Sequence, residues 1–168
     1  TVSNEWEEIE CDFSGDSKLT ADDWYNLVFI IDEGTEGDGT SNFTIYVDDI
    51  TQVSSSTSSV ISDFEVDGSI SGFDGGAQEV IDNPDTSGNS SDKVLKLVKN
   101  SGQVWGGHIF TVTDKFNFAS EQKIKIKMWS PRVGLKLNLK IEDEVPWPGV
   151  SATSTVTGTS TVANEWEE

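Results

Sequence analysis

The sequence predicts an all-β chain, an antiparallel β-sandwich or jelly roll whose strands run in a circularly permuted order. Three observations predict it. Two segments alternate apolar and polar residues with a strict period of two, no segment shows helical periodicity, and one octapeptide occurs twice. Ser, Thr, Gly, Asn and Asp replace much of the usual hydrophobic content, which stands at 35%. That composition suits many short strands joined by turns.

Taken along the chain, strands are expected at 5–13 (EWEEIECDF) and 27–32 (LVFIID), with at most one helical turn within 16–26 between them. Residues 42–50 (NFTIYVDDI) alternate like a strand that closes a sandwich, and 61–65 (ISDFE) reads as a fresh strand start. The Ser/Thr stretch between them, 53–60 (VSSSTSSV), has the composition of a linker. Further strands are expected at 93–98 (KVLKLV), 107–112 (GHIFTV), 123–129 (KIKIKMW) and 135–141 (LKLNLKI). In KIKIKMW, Ile124, Ile126 and Met128 share one face, and Lys123, Lys125, Lys127 and Trp129 share the other. In LKLNLKI the leucines and Ile141 face the core, so Lys136, Asn138 and Lys140 face outward. One such face packs and the other meets water or ligand.

Residues 1–8 read TVSNEWEE and residues 161–168 read TVANEWEE, a match at seven of eight positions with an offset of 160. One sandwich has a single slot for this strand. The expected natural order therefore begins near Ile61, runs through 61–168 and finishes with 1–52, with 53–60 as the linker. Either the chain is permuted or its limits fall at equivalent points of a tandem repeat. The surplus copy must stay idle, pair at an edge or enter a neighbouring molecule, so self-association by strand exchange is an expected partner mode.

A chain of 168 residues is one domain's worth and can bury a single core. Its net charge of −19 is uneven: residues 1–85 carry 21 acids and one base, Lys18, while residues 86–168 carry 9 acids and 10 bases. Such a surface repels phosphate backbones, which argues against nucleic acid. No apolar run approaches the roughly 18 residues of a membrane span, so no membrane insertion is expected. Cys11 has no partner for an internal disulfide and reads as a small buried hydrophobe. His108, the one histidine, reads as structural rather than as a metal ligand. No catalytic motif such as G-x-S-x-G, H-E-x-x-H or a P-loop occurs, and thirty acids guarantee accidental carboxylate pairs, so a non-enzymatic module is expected.

From Phe64 onward, after its two parts are exchanged, the chain resembles the jelly-roll carbohydrate-binding modules related to families 4, 16 and 22. It is most similar to those attached to polysaccharide-degrading and glycan-binding proteins of marine bacteria. FEVDG (64–68), NPDTSGNSSDKVLKLVK (83–99), VWGG (104–107), KMWSP (127–131), LNLKIE (137–142), NEWEEIECDFSG (4–15) and FTIYVDDI (43–50) carry the resemblance. It implies a galactose-binding-like sandwich, secreted or displayed at a cell surface, with a structural calcium and a sugar site on the concave face or rim. The ligand it points to is a polysaccharide, with a β-glucan such as laminarin the best guess. For calcium it implies Glu65 with Asp48 or Asp49, from first and last natural strands that adjoin, and more weakly Asp67 and Asp92.

Sugar rings present C–H faces on which flat aromatics stack, while polar neighbours bond the hydroxyls. Trp147 lies in EVPWPGV between two prolines, and is either a ligand contact or loop packing. Trp105, in QVWGG, has the same two readings, because paired glycines admit close approach of backbone or ligand. Trp129 shares its face with three lysines and is read as a binding residue. Trp6, Trp166 and Trp24 read as packing. Gln103, Lys127, Lys136, Asn138, Lys140 and Glu142 are polar groups that could serve a sugar, although each taken singly reads first as an ordinary solvated position. The other reading of the whole chain is a calcium-stabilised structural or adhesive repeat of a large extracellular surface protein. An anionic glycan is disfavoured by the net charge, though 123–140 holds a local cluster of bases.

Overall fold

A computed structural model describes residues 9–20, 24–66, 69–145, 148–161, 163 and 165–167. Side chains are described for all of these except Thr20 and 165–167. Two antiparallel sheets pack face to face as a β-sandwich. The first sheet holds β1 (Ile9–Asp12), β3 (Thr44–Val53), β4 (Ser58–Ser62), β6 (Gly76–Asp82), β7 (Lys93–Lys99), β9 (Lys123–Ser130) and β12 (Glu165–Glu167). The second holds β2 (Trp24–Ile31), β5 (Ser69–Phe73), β8 (Gly107–Thr111), β10 (Lys136–Asp143) and β11 (Val156–Thr159), in the order β11-β10-β2-β8-β5. Single 3₁₀ turns at Ser17–Thr20 and Ser41–Phe43 are the helical elements among the described residues.

In the first sheet the path β1-β9-β3-β7-β6 contains two shared positions. β4 lies along β3 at Ile50 to Val53, end to end with β7, which pairs with Thr44 to Val47. β12 lies along β9 end to end with β1. The stretch expected as a linker, 53–60, is not one locally: it is the end of β3, a tight turn and the start of β4. Ser54 and Thr57 hydroxyls meet at 2.8 Å across that turn, and the Ser54 amide donates to the Thr57 carbonyl. Ser and Thr suit both a short turn and a solvated edge strand, so composition alone did not separate linker from hairpin.

The alternation expected for β9 and β10 holds. Ile124, Ile126, Met128, Leu137, Leu139 and Ile141 are fully buried between the sheets, where they meet Phe13, Leu27, Phe29, Ile45, Leu95 and Leu97. Trp24 and Cys11 are in this core, and burial pushes the Cys11 thiol up to about 12, which keeps it an unreactive apolar group. β2 departs from simple alternation, because Val28 and Ile30 point away from the core yet are 1% and 3% exposed. β5, β6 and β11, Gly-rich or weakly alternating strands at or next to sheet edges, had no clear sequence signal.

His108 is buried and structural. Its Nε2 faces the carbonyls of Ala77 at 3.0 Å and Val98 at 3.3 Å, so that nitrogen carries the proton. Burial, with help from the Lys99 charge, holds its imidazole below the ordinary range. A depressed folded value means that the unfolded chain binds the proton first. The contribution is present above the unfolded value of about 6.5 and is lost as pH falls through that value. Relative to a His108→Gln variant, the wild type should lose about 1 kcal/mol between pH 6.5 and 5.5 in urea titrations. Parallel pH slopes for the two proteins would remove this role.

Candidate functional site

Register divides the sequence-derived candidates between two opposite surfaces. On the outer face of the second sheet, Asn138 stands between Thr157 and Ile30, Lys140 beside Val28, and Glu142 beside Asn26. The rows continue across β8 and β5: Val28 to Ile109 to Ser71, and Asn26 to Thr111 to Ser69. Phe73 stands opposite Gly107, and a Cβ at Gly107 would come within 3.1 Å of the Phe73 ring and 3.0 Å of Ile30. Glycine at that position leaves room for the phenyl ring to lie toward Ile30. The face is therefore apolar at its centre and polar along both sides.

Loops at one end of the sandwich raise a rim beside this face. Asn138 Nδ2 donates to Glu33 Oε2 at 2.9 Å, Lys140 Nζ lies 3.6 Å from Glu33 Oε1, and Thr157 Oγ1 donates to Asn138 Oδ1 at 2.8 Å. Asn138 is outward-facing but only 9% exposed for that reason. At the lower side, Asn26 is fixed by Thr111 Oγ1 at 2.7 Å and by its own donation to the Asp143 carbonyl. Glu142 is half-buried between these groups, and burial holds its carboxyl above the usual range, partly offset by Lys140.

Trp105 is half exposed in the loop that enters β8, and its Nε1 donates to Asp74 Oδ2 at 2.9 Å. Gln103 lies in the same loop, with its amide on the Asp74 carbonyl at 3.0 Å. Gly102 and Gly106 are required here, since a Cβ at either would collide with the Asp74 carbonyl. Val104 accepts from the Gly34 amide, so the loop carrying Trp105 abuts the one carrying Glu33. Beneath both lies Lys99, fully buried, whose ammonium donates to the carbonyls of Ile31 at 2.7 Å, Val104 at 2.9 Å and Asp32 at 3.3 Å. Burial lowers its pKa, and the nearby Asp32 and Glu33 charges partly restore it.

Trp129 and Lys127 are elsewhere, on the outer face of the first sheet. Trp129 stands opposite Tyr46 with the rings edge to face, centroids 5.1 Å apart. Lys127 pairs with Asp49 at 2.5 Å, which turns that carboxylate from the metal role toward an ion pair. Lys136 is exposed at the rim, its amide on Asp32 Oδ1. Trp147 and Asp67 lie outside the described residues, as does Trp6, and the Trp166 side chain is not described. A groove of about 340 Å³ lies away from the rim, between β4 and β8, lined by Val60, Ile61, Ser62, Phe110 and Val112 among others. None of the sequence-derived candidates lines it.

Asp48 and Glu65 converge on one loop. Asp48 is fully buried at a bulge in β3, where Asp49 takes φ 45°. Its Oδ2 accepts from Asn89 Nδ2 at 2.6 Å, while Oδ1 is buried without a partner, and burial holds the carboxyl above its usual range. Glu65 Oε1 accepts from the amides of Asp92 at 2.8 Å and Lys93 at 3.2 Å. Asn83 Nδ2 braces the same loop through the carbonyls of Asn89 and Ser91. Among the described residues no three His, Cys, Asp or Glu side chains converge, so a calcium held here would draw on amide and backbone oxygens as well. The one feature here, among the described residues, that suits a cation is the buried Asp48 Oδ1, since the loop group that meets Asp48 is the Asn89 amide, a donor.

Sequence reasoning missed Glu33, Phe73, Asp74 and Lys99. The one local signal was Gly107, where a Cβ would collide with the Phe29 carbonyl and crowd Ile30 and Phe73. No family model, no curated protein and no solved structure matches the chain.

Proposed function

We propose that the chain is a non-catalytic carbohydrate-binding module that holds a polysaccharide on the outer face of the second sheet. The observation that carries this is the convergence, at one rim, of a half-exposed tryptophan with the fixed polar groups of Glu33, Asn138 and Lys140. Trp105 offers a face to the C–H side of a sugar ring, Phe73 and Ile109 floor the tray above the buried Val28, and prealigned amides and charges meet hydroxyls at little ordering cost. Gln103 and Glu142 extend the polar border. A neutral β-glucan such as laminarin is the ligand we favour, with a structural calcium at Asp48 and Glu65, in a secreted or surface-displayed setting. In the same reading the sandwich is a galactose-binding-like jelly roll, permuted so that its natural order begins near Ile61. The β3–β4 hairpin supports this by setting the proposed last and first strands side by side.

Affinity electrophoresis in gels containing laminarin, xylan or mannan tests the function. Retardation is expected in laminarin. Trp105→Ala should weaken it by about 1–3 kcal/mol, as truncated aromatic anchors do. Trp129→Ala, on the opposite surface, should migrate like wild type. Retardation lost in Trp129→Ala and kept in Trp105→Ala would move the site to the first sheet. No retardation in any gel would favour the second reading, a calcium-stabilised structural or adhesive repeat, to which the duplicated octapeptide points.

A further inference from the structure

β1 and β12 occupy one edge of β9, the edge away from β3. β3 takes the other side, with Tyr46 opposite Trp129, Val47 opposite Met128 and Thr51 opposite Lys125. On the shared edge, β1 runs from Ile9 opposite Ile126 to Asp12 opposite Lys123, and β12 runs from Glu165 opposite Ser130 to Glu167 opposite Met128. Both are antiparallel to β9, and their registers are related. Partner numbers sum to 135 along β1, as for Ile9 with Ile126, and to 295 along β12, as for Trp166 with Trp129, and the difference of 160 is the offset between the two octapeptide copies. The residue opposite Trp129 is Trp166, the equivalent of residue 6 in the other copy, 160 positions on. The run EWEEIECD is thus one strand in sequence, yet on β9 its first part comes from the C-terminal copy and its last part from the N-terminal one.

Two segments cannot hydrogen-bond one stretch of strand edge at once. We propose that the β9 edge at 128–130 is a strand-acceptor site for the EWE segment of either copy, and that the copy left over in one chain fills the same site in a second copy of the chain whose own site is empty. The recognition is β-augmentation: backbone groups supply the ladder and side chains supply register. Both copies carry the same EWE residues, so one can replace the other without a change of sequence at the site. Each chain has two donors for one acceptor. Chains in isolation fill their own sites, and a chain whose site is empty captures the spare donor of another. This is independent of glycan binding.

The test mixes a chain trimmed of residues 1–8 and 161–168, an acceptor without a donor, with the full chain, and measures mass by light scattering. A 1:1 complex is expected with the full chain. None is expected with a chain trimmed at one end only, whose single donor is already in its own site, and excess synthetic TVANEWEE should dissolve the complex. Absence of the complex with the full chain, or an equal complex with singly trimmed chains, overturns the proposal. Proline substitutions in the full chain ask the same question without trimming, since proline removes the ladder donor. Trp6→Pro and Trp166→Pro should each leave the melting midpoint nearly unchanged, whereas the pair lowers it by about 5 °C or more. A Trp166→Pro midpoint as low as that of the pair would refute interchange.

Discussion

A Lys99→Met variant is expected to melt about 10 °C below the wild type. Methionine keeps the apolar stem but has no donor, so the carbonyls of Ile31, Asp32 and Val104 lose the ammonium that now satisfies them. Leaving a buried polar group unsatisfied costs about 1–3 kcal/mol. Relief by water is limited because Lys99 is fully buried. With several carbonyls affected, a loss of about 3 kcal/mol follows, and a chain of this size shifts by roughly 2–4 °C per kcal/mol. The same change loosens the rim. Gly34 donates to the Val104 carbonyl, so its amide should exchange faster with deuterium in the variant, and laminarin retardation should weaken in parallel. A midpoint within 2 °C of the wild type would show that the ammonium is not what ties these loops together.

If the proposed calcium is bound, chelation with EGTA is expected to lower the melting midpoint by a comparable amount. A cation present at about a thousand times its dissociation constant adds about 4 kcal/mol to the folded state, again on the order of 10 °C. Asp48 carries the argument. Its carboxylate is fully buried with one oxygen unpaired, a costly state that a cation would relieve. Asp48→Asn removes the charge and should melt at the same temperature with and without EGTA. An unmoved wild-type midpoint would eliminate the calcium.

Much of the architecture was legible in the sequence, because a period of two in KIKIKMW and LKLNLKI states which residues face inward. The period says nothing about which sheet a strand joins. Trp129 and Asn138 were therefore both correctly read as outward, and their separation onto opposite surfaces was not visible. That partition is set by pairings such as Tyr46 with Trp129 and Asn138 with Ile30, between residues far apart in the chain. Lys99 was invisible for a different reason. A lysine ending a strand reads as solvated, and only the arrival of three carbonyls from two other loops makes its burial tolerable. Val28 and Ile30 point outward against a face that Phe73 and Ile109 make apolar, which no local pattern reports.

The strands are distributed so that β1, β2 and β3 do not pair with one another. β1 waits for β9, β2 for β8 and β10, and β3 for β4, β7 and β9. During synthesis β1, β2 and β3 are therefore made before any of the strands they pair with, a state in which nascent β-chains aggregate. Those strands lie in the half that carries 21 acids and one base, so emerging chains repel each other. The bases arrive later, and the ion pairs of Lys93 with Asp82, Lys123 with Glu10, Lys127 with Asp49, Arg132 with Asp32 and Lys140 with Glu33 each join a late cation to an early carboxylate. Folding of the second half onto the first thus partly neutralises a charge that sets unfolded copies of the first half apart.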